Sequence, residues 1–160
     1  MAERHQHTFT YRRMRREELP AADAGLLQRA QEAAARAYAP YSAFRVGAAL
    51  RLADGTVLEG SNQENASFPA GTCAERSVLH YAMAQQPGAR VEAIAVVVPQ
   101  VAGDDPVSPC GICRQALLEQ ESRQRAPVRV LLGTASGWVI ELERASDLLP
   151  LQFDGSFLKP

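Results

Sequence analysis

Two short stretches of this 160-residue chain hold all three of its cysteines: Thr72-Cys73-Ala74-Glu75-Arg76 and Ser108-Pro109-Cys110-Gly111-Ile112-Cys113-Arg114. Cys110 and Cys113 are three apart, so one turn of helix can aim both sulfurs at a single point. A third thiolate from Cys73 would make a three-ligand set for Zn²⁺ and leave the fourth tetrahedral position to water. The sequence offers no fourth cysteine to close that position. An open position is what separates a catalytic zinc site from a structural one. Three thiolates overbalance the dication, which by itself makes such a water less acidic. Unpaired N–H groups and the positive dipole ends of helix N-termini offset this charge. Arg76, three residues after Cys73, can hydrogen-bond a thiolate and tune the metal from behind, although a surface arginine is the plainer alternative. Glu75 is the candidate proton carrier, a carboxylate within reach of the water. Residues two apart on a regular helix do not face each other. Cys73 and Glu75 can therefore share a site only if Cys73 lies at the very start of a helix. A lone CxxC is also compatible with redox or structural-zinc roles, but the Cys-Ala-Glu upstream and the preceding loop disfavour redox.

The elements that must position these residues are legible in outline. Pro20 and Asp23 open a helix with Leu26, Leu27, Ala30, Ala33, Ala34 and Ala37 on its apolar face, running to Pro40. Phe44–Leu52 reads as a strand, Asp54-Gly55 as a hairpin turn, and Val57–Ser61 as the return. A loop from Asn62 to Thr72 leads into a helix over Cys73–Gln86. Ala93–Val98 is β-branched and apolar, as in a strand covered on both faces. Residues 101–109 read as a loop, Gly111–Arg125 as a helix, and Val128–Leu132 and Trp138–Glu143 as strands. This order predicts an α/β fold: a three-layer α/β/α sandwich with a mixed sheet of about five strands. A helix between two buried strands favours a right-handed parallel crossover. Residues 1–19 read as a loosely held arm and 20–160 as one domain.

Composition narrows the class. Hydrophobic residues make up 46% and charged residues 22%, with a formal charge of -1, close to an ordinary globular protein and without the basic excess of a nucleic-acid binder. The N-terminus shows no secretory leader, and no run is long and apolar enough to span a bilayer. Three cysteines cannot all pair with one another, so reduced thiols and a cytoplasmic location are expected. His5, His7 and His80 carry no ligand signal, and Trp138 reads as packing.

Further motifs extend the pattern: Ala39-Pro40-Tyr41-Ser42-Ala43-Phe44-Arg45-Val46-Gly47-Ala48-Ala49, then Asn62-Gln63-Glu64-Asn65-Ala66-Ser67, and the tail Asp147-Leu148-Leu149-Pro150-Leu151-Gln152-Phe153. Together with the cysteine stretches, whose Glu is not itself a ligand in the zinc deaminase signature, the chain from Ala37 onward resembles the small cytidine deaminases of free-nucleoside (pyrimidine) salvage. The resemblance implies one Zn²⁺ per subunit on Cys73, Cys110 and Cys113, with Glu75 catalytic and Arg76 behind the ligands. It implies that Asn62 and Glu64 bind the sugar hydroxyls, although both can also order the loop through side-chain turns. Phe44 matches an aromatic packed on the base, and the Ala74 N–H would meet the base carbonyl. A homotetramer with shared sites is implied too, in which Phe153, and by extension Phe68, act across subunits; each of the three aromatics also has a core role as its alternative. The family often has Gly-Ala where this tail has Leu151-Gln152. The implied reaction converts cytidine and 2′-deoxycytidine to uridine and 2′-deoxyuridine with release of ammonia. Alternatives are a deaminase of a modified nucleoside or an antibiotic such as blasticidin S, a polynucleotide editor, which near-neutral charge disfavours, and a catalytically dead zinc scaffold. A small-molecule nucleoside is therefore the expected partner, with neither a nucleic-acid polymer nor a membrane.

Overall fold

A computed structural model describes residues 2–158. Met1 and the last two residues of the expected 20–160 domain lie outside this range. The strands are β1 (Arg12–Arg15), β2 (Gly47–Leu52), β3 (Val57–Ser61), β4 (Val91–Val97), β5 (Arg129–Gly133) and β6 (Trp138–Leu142). The helices are α1 (Ala21–Ala34), α2 (Ala74–Gln85) and α3 (Gly111–Gln124). The sheet runs β1-β6-β5-β4-β2-β3. Only β4 and β5 are parallel, and α3 is the connection between them.

Alternation along the central strands builds two cores. Ala48, Leu50, Leu52, Ile94, Val96, Val130 and Leu132 point toward Val78, Leu79 and Ala82 of α2 and Leu117 of α3. Ala49, Ala93, Ala95, Val97 and Leu131 face Leu26, Leu27 and Ala30 of α1. Each leucine or isoleucine buried this way contributes roughly 1.5–3 kcal/mol. The α/β/α sandwich follows, with α1 alone on one side. Its close approach depends on Gly47, where an added Cβ would overlap the Ala30 carbonyl oxygen and stand 2.5 Å from the Ala34 nitrogen.

Three features differ from the sequence reading. The sheet has six strands rather than about five, and the addition is β1, from the stretch read as an arm. Arg-Arg-Met-Arg carries no apolar period, so its strand character is invisible in isolation. It forms because its partners are on β6: Arg12 pairs with Glu141 at 2.7 Å, and the Arg13 and Arg15 guanidiniums lie over Trp138, 4.1 and 4.9 Å from the ring centroid. Second, α1 stops at Ala34 rather than running on to Pro40. Its end tightens into three-residue bonds (Ala35, Arg36 and Ala37 to Glu32, Ala33 and Ala34) and Tyr38 is drawn away to pair with the 62–64 segment. Third, Phe44–Val46 precede β2 rather than belonging to it. Ala43 has φ 56°, which breaks the extended run, and the Asn62 side chain takes the place of a strand partner.

Candidate metal and substrate site

Both cysteine stretches sit at helix starts. Cys73 is the residue before the first turn of α2, with extended φ −71° and ψ 155°. Cys110 holds the same place before α3, with φ −67° and ψ 165°. The carbonyls of both accept the first helical bond, from Ser77 N–H at 2.9 Å and Arg114 N–H at 3.0 Å. Neither sulfur caps a backbone N–H of its helix, as a serine or aspartate would at this position. Instead the sulfurs turn to each other. Cys73 Sγ is 3.8 Å from Cys110 Sγ, and Cys110 Sγ is 3.6 Å from Cys113 Sγ. All three lie within 4.8 Å of one another, the one such cluster of metal-ligating side chains among the described residues. The edge of a tetrahedron with zinc–sulfur bonds of about 2.3 Å is ~3.8 Å. The donor set therefore fits Zn²⁺, with three sulfurs and room for one more ligand.

The charges around the sulfurs are arranged to help. The Arg76 guanidinium donates to the Gly71 carbonyl at 3.4 Å and lies close enough to Cys73 and Cys113 for their charge to raise its pKa. Hydrogen bonding from Cys113, reinforced by Arg76, lowers the Cys73 thiol to about 5. The two helix N-termini add their dipoles from behind. Glu75, 5% exposed, stands in the first turn of α2 against Cys113. Burial raises its pKa, and the charge on Cys73 adds to the effect. The result is a carboxyl inclined to hold a proton beside a cluster of sulfurs, which is what a proton carrier needs.

Beside the sulfurs lies a cavity of about 630 Å³ whose walls include Asn62, Glu64, Phe68, Cys73, Arg76 and Ile112. Its floor is the 62–72 loop. Gln63 exchanges backbone bonds with Thr72 (2.8 and 2.9 Å), and Glu64 N–H donates to the Tyr38 carbonyl at 2.8 Å. Because Thr72 precedes Cys73, this small ladder fixes the cavity floor against the first sulfur. Asn62 is buried. Its carbonyl oxygen accepts from Val46 N–H and its amide donates to the Phe44 carbonyl, both at 2.8 Å. The Glu64 carboxylate accepts from Tyr41 N–H at 2.9 Å and from the Ser42 hydroxyl, which hold it below the usual carboxylate range.

The structure therefore brings together Cys73, Cys110, Cys113, Glu75, Arg76 and the buried Ala74 at the head of α2, with Asn62, Glu64 and Phe68 around the adjoining cavity. It does not bring in every expected residue. Phe44 is not among the cavity walls, although its carbonyl is tied to Asn62. Phe153, 57% exposed, stacks on Phe157 at 6.0 Å and is likewise away from the cavity within this subunit. Phe68 is 76% exposed, edge-on to Tyr41. Tyr41 and Ser42 had no role assigned from sequence. They belong to the Pro40-Tyr41-Ser42 motif, but only the fold shows that they grip Glu64.

Three convergent thiols with a buried carboxyl beside them define a site of the catalytic zinc class. Comparison with known proteins agrees. The model of the cytidine and deoxycytidylate deaminase zinc-binding region matches residues 20–127. A cytidine deaminase of Halalkalibacterium halodurans is 44% identical over 129 residues, covering 80% of this chain and 91% of that one. Among solved structures, the cytidine deaminase of Burkholderia pseudomallei superposes with a TM-score of 0.71 at 43% identity, over 81% of this chain and 97% of its own. That of Mycobacterium tuberculosis gives 0.61 at 36% identity, over 81% and 94%. The chain belongs to the cytidine deaminase family.

Proposed function

We propose that this protein is a hydrolase that deaminates cytidine and 2′-deoxycytidine to uridine and 2′-deoxyuridine, releasing ammonia, in pyrimidine salvage. The observation that carries the reading is the buried Glu75 carboxyl beside three sulfurs at zinc spacing. Zinc on Cys73, Cys110 and Cys113 would supply the Lewis acid that makes water nucleophilic near neutral pH. Glu75 would carry one proton from the attacking water to the pyrimidine ring nitrogen, and then the remaining hydroxyl proton to the amine, which leaves as ammonia. Its raised pKa suits both receipt and return of the proton. Arg76 offsets the thiolate charge. The Ala74 N–H, at the head of α2, meets the base carbonyl oxygen.

The sugar falls to the loop. Glu64 has lone-pair capacity beyond its bonds to Tyr41 and Ser42, and the second N–H of Asn62 remains for a hydroxyl. Phe44 is assigned to the base, and its link through Asn62 would couple base and sugar recognition. Phe68 and Ile112 leave apolar surface at the cavity, and Phe153 leaves more on the tail away from it. That surface supports a homotetramer in which neighbours complete each site, with Phe68 and Phe153 acting across subunits. A cytoplasmic enzyme acting on free nucleosides, apart from polymers and membranes, is the consistent setting.

A substrate panel tests this. Cytidine and 2′-deoxycytidine should be turned over with stoichiometric ammonia, and cytosine inside an oligonucleotide should not. Turnover of blasticidin S alone, or of the oligonucleotide alone, contradicts the proposed substrate. Light scattering should give four chains per particle.

A further inference from the structure

We infer that the N-terminal segment Phe9–Arg15 and the β5–β6 turn it packs on, through Arg13 and Ser136, form one brace that holds the loop delivering Cys110. This rests on Cys110 being a metal ligand, as proposed above. The matched family region spans residues 20–127, so the brace lies outside it.

Cys110 arrives on a long connection, residues 98–110, with no regular structure of its own. Loops of this length are mobile unless held, yet a metal ligand must be placed to a fraction of an ångström. The connection is gripped at two points. At its outer end, the Arg13 guanidinium donates to the Asp104 carbonyl at 3.1 Å and lies 3.6 Å from the Asp105 carboxylate. The same guanidinium is stacked 4.1 Å over Trp138, which fixes its aim. From the β5–β6 turn, the Ser136 hydroxyl is 3.1 Å from both the Gly103 carbonyl and an Asp104 carboxylate oxygen, and donates to one at a time.

At its inner end the grip is Arg114, next to the ligand Cys113. It donates to the Pro109 carbonyl at 2.8 Å, the Ser108 hydroxyl at 3.0 Å and the Leu148 carbonyl at 3.1 Å. Between the grips, Pro106 and Pro109 restrict φ, so a displacement at Asp104 carries along to Cys110 instead of dissipating. Phe9 and Tyr11 add a second contact surface, sharing an apolar cavity with Pro106, Ser108, Arg114 and Leu148. The N-terminal segment thus touches the loop at 104–108 and the turn that Arg114 also holds. Arg13 is a positioning residue: it acts on the site through the loop.

The test uses the full chain in three variants: Arg13→Ala, Ser136→Ala, and as control Arg29→Ala, which cuts an ion pair to Glu59 at the opposite edge of the sheet. The readouts are zinc release to a chromogenic chelator and amide exchange over residues 100–115, where the Arg114 N–H bonded to the Cys110 carbonyl reports the first turn of α3. Losing one exposed hydrogen bond predicts release and exchange ~3- to 10-fold faster for Arg13→Ala and Ser136→Ala. Arg29→Ala should match the wild type. Turnover per bound zinc should be unchanged in all three, because the brace touches no substrate. Equal exchange in all four proteins overturns the brace. Ser136→Ala leaves β1 in place, so its result stands even if Arg13→Ala unfolds. A wild type purified without zinc would instead count against the metal reading, and the exchange data would still decide the brace.

Discussion

Cys73 and Glu75 stand two residues apart and yet meet at one cluster of sulfurs, because Cys73 precedes the first turn of α2 while Glu75 lies within it. One more residue of helix before Cys73 would swing the two to different faces. The cluster thus depends on where α2 begins. Gln63 and Thr72, paired just upstream, help set that point.

Burial of Glu75 has a consequence for stability. With the zinc stripped, the folded protein holds this proton more tightly than the unfolded chain does. Its contribution is therefore complete below the ordinary carboxylate value of 4.5 and is lost as pH rises through the raised one. Glu75→Gln should raise the melting temperature of the metal-free protein at about pH 8, with the gap closing near pH 4. Thermal unfolding in chelator at the two pH values measures it. No gap at the higher pH would mean that the buried carboxyl is not penalised.

Metal removal should be visible without any substrate. A ligand present at about a thousand times its dissociation constant stabilises the folded state by roughly 4 kcal/mol. A chelator should therefore lower the melting temperature of the wild type by several degrees. Cys110→Ser exchanges a thiolate for a neutral hydroxyl, so it should bind well under one zinc per chain and show little response to chelator. Metal analysis and a melt of the same sample check both.

Gly47→Ala probes the contact between α1 and β2. The added Cβ meets backbone atoms of Ala30 and Ala34, which cannot rotate away. Overpacking of this kind costs about 1–3 kcal/mol, and backbone collisions belong at the upper end. Urea unfolding should show a lower midpoint at constant slope. An unchanged midpoint would mean that α1 sits farther from the sheet than described.

The parts of the molecule that read well from sequence are those whose signal is local. Helix starts near Cys73 and at Gly111, the doubly covered Ala93–Val98 run and the Asp54-Gly55 hairpin each carry their own residues' periodicity or turn chemistry, and the structure has them as α2, α3, β4 and the β2–β3 turn within a residue or two. The features that did not read are those decided by distant partners. β1 is all arginine and methionine, and it becomes a strand only because Glu141, 129 positions beyond Arg12, and Trp138, far beyond Arg13, lie on β6 to receive it. Asn62 reads either as a sugar-binding group or as a residue that orders its loop, and much of its hydrogen-bonding capacity serves Phe44 and Val46, a pairing that only the fold reveals. Phe153 reads as an aromatic in a matching tail, and no single-chain pattern says which subunit's cavity it should meet.

The most direct measurement pairs turnover with metal content in one preparation of wild type and Glu75→Ala. General acid–base catalysis is worth about 10²- to 10⁴-fold. The variant should keep about one zinc per chain, as the wild type does, while its turnover of cytidine falls by at least the lower figure. Undiminished turnover with zinc in place would contradict the role given to Glu75 and, with it, the account of the site.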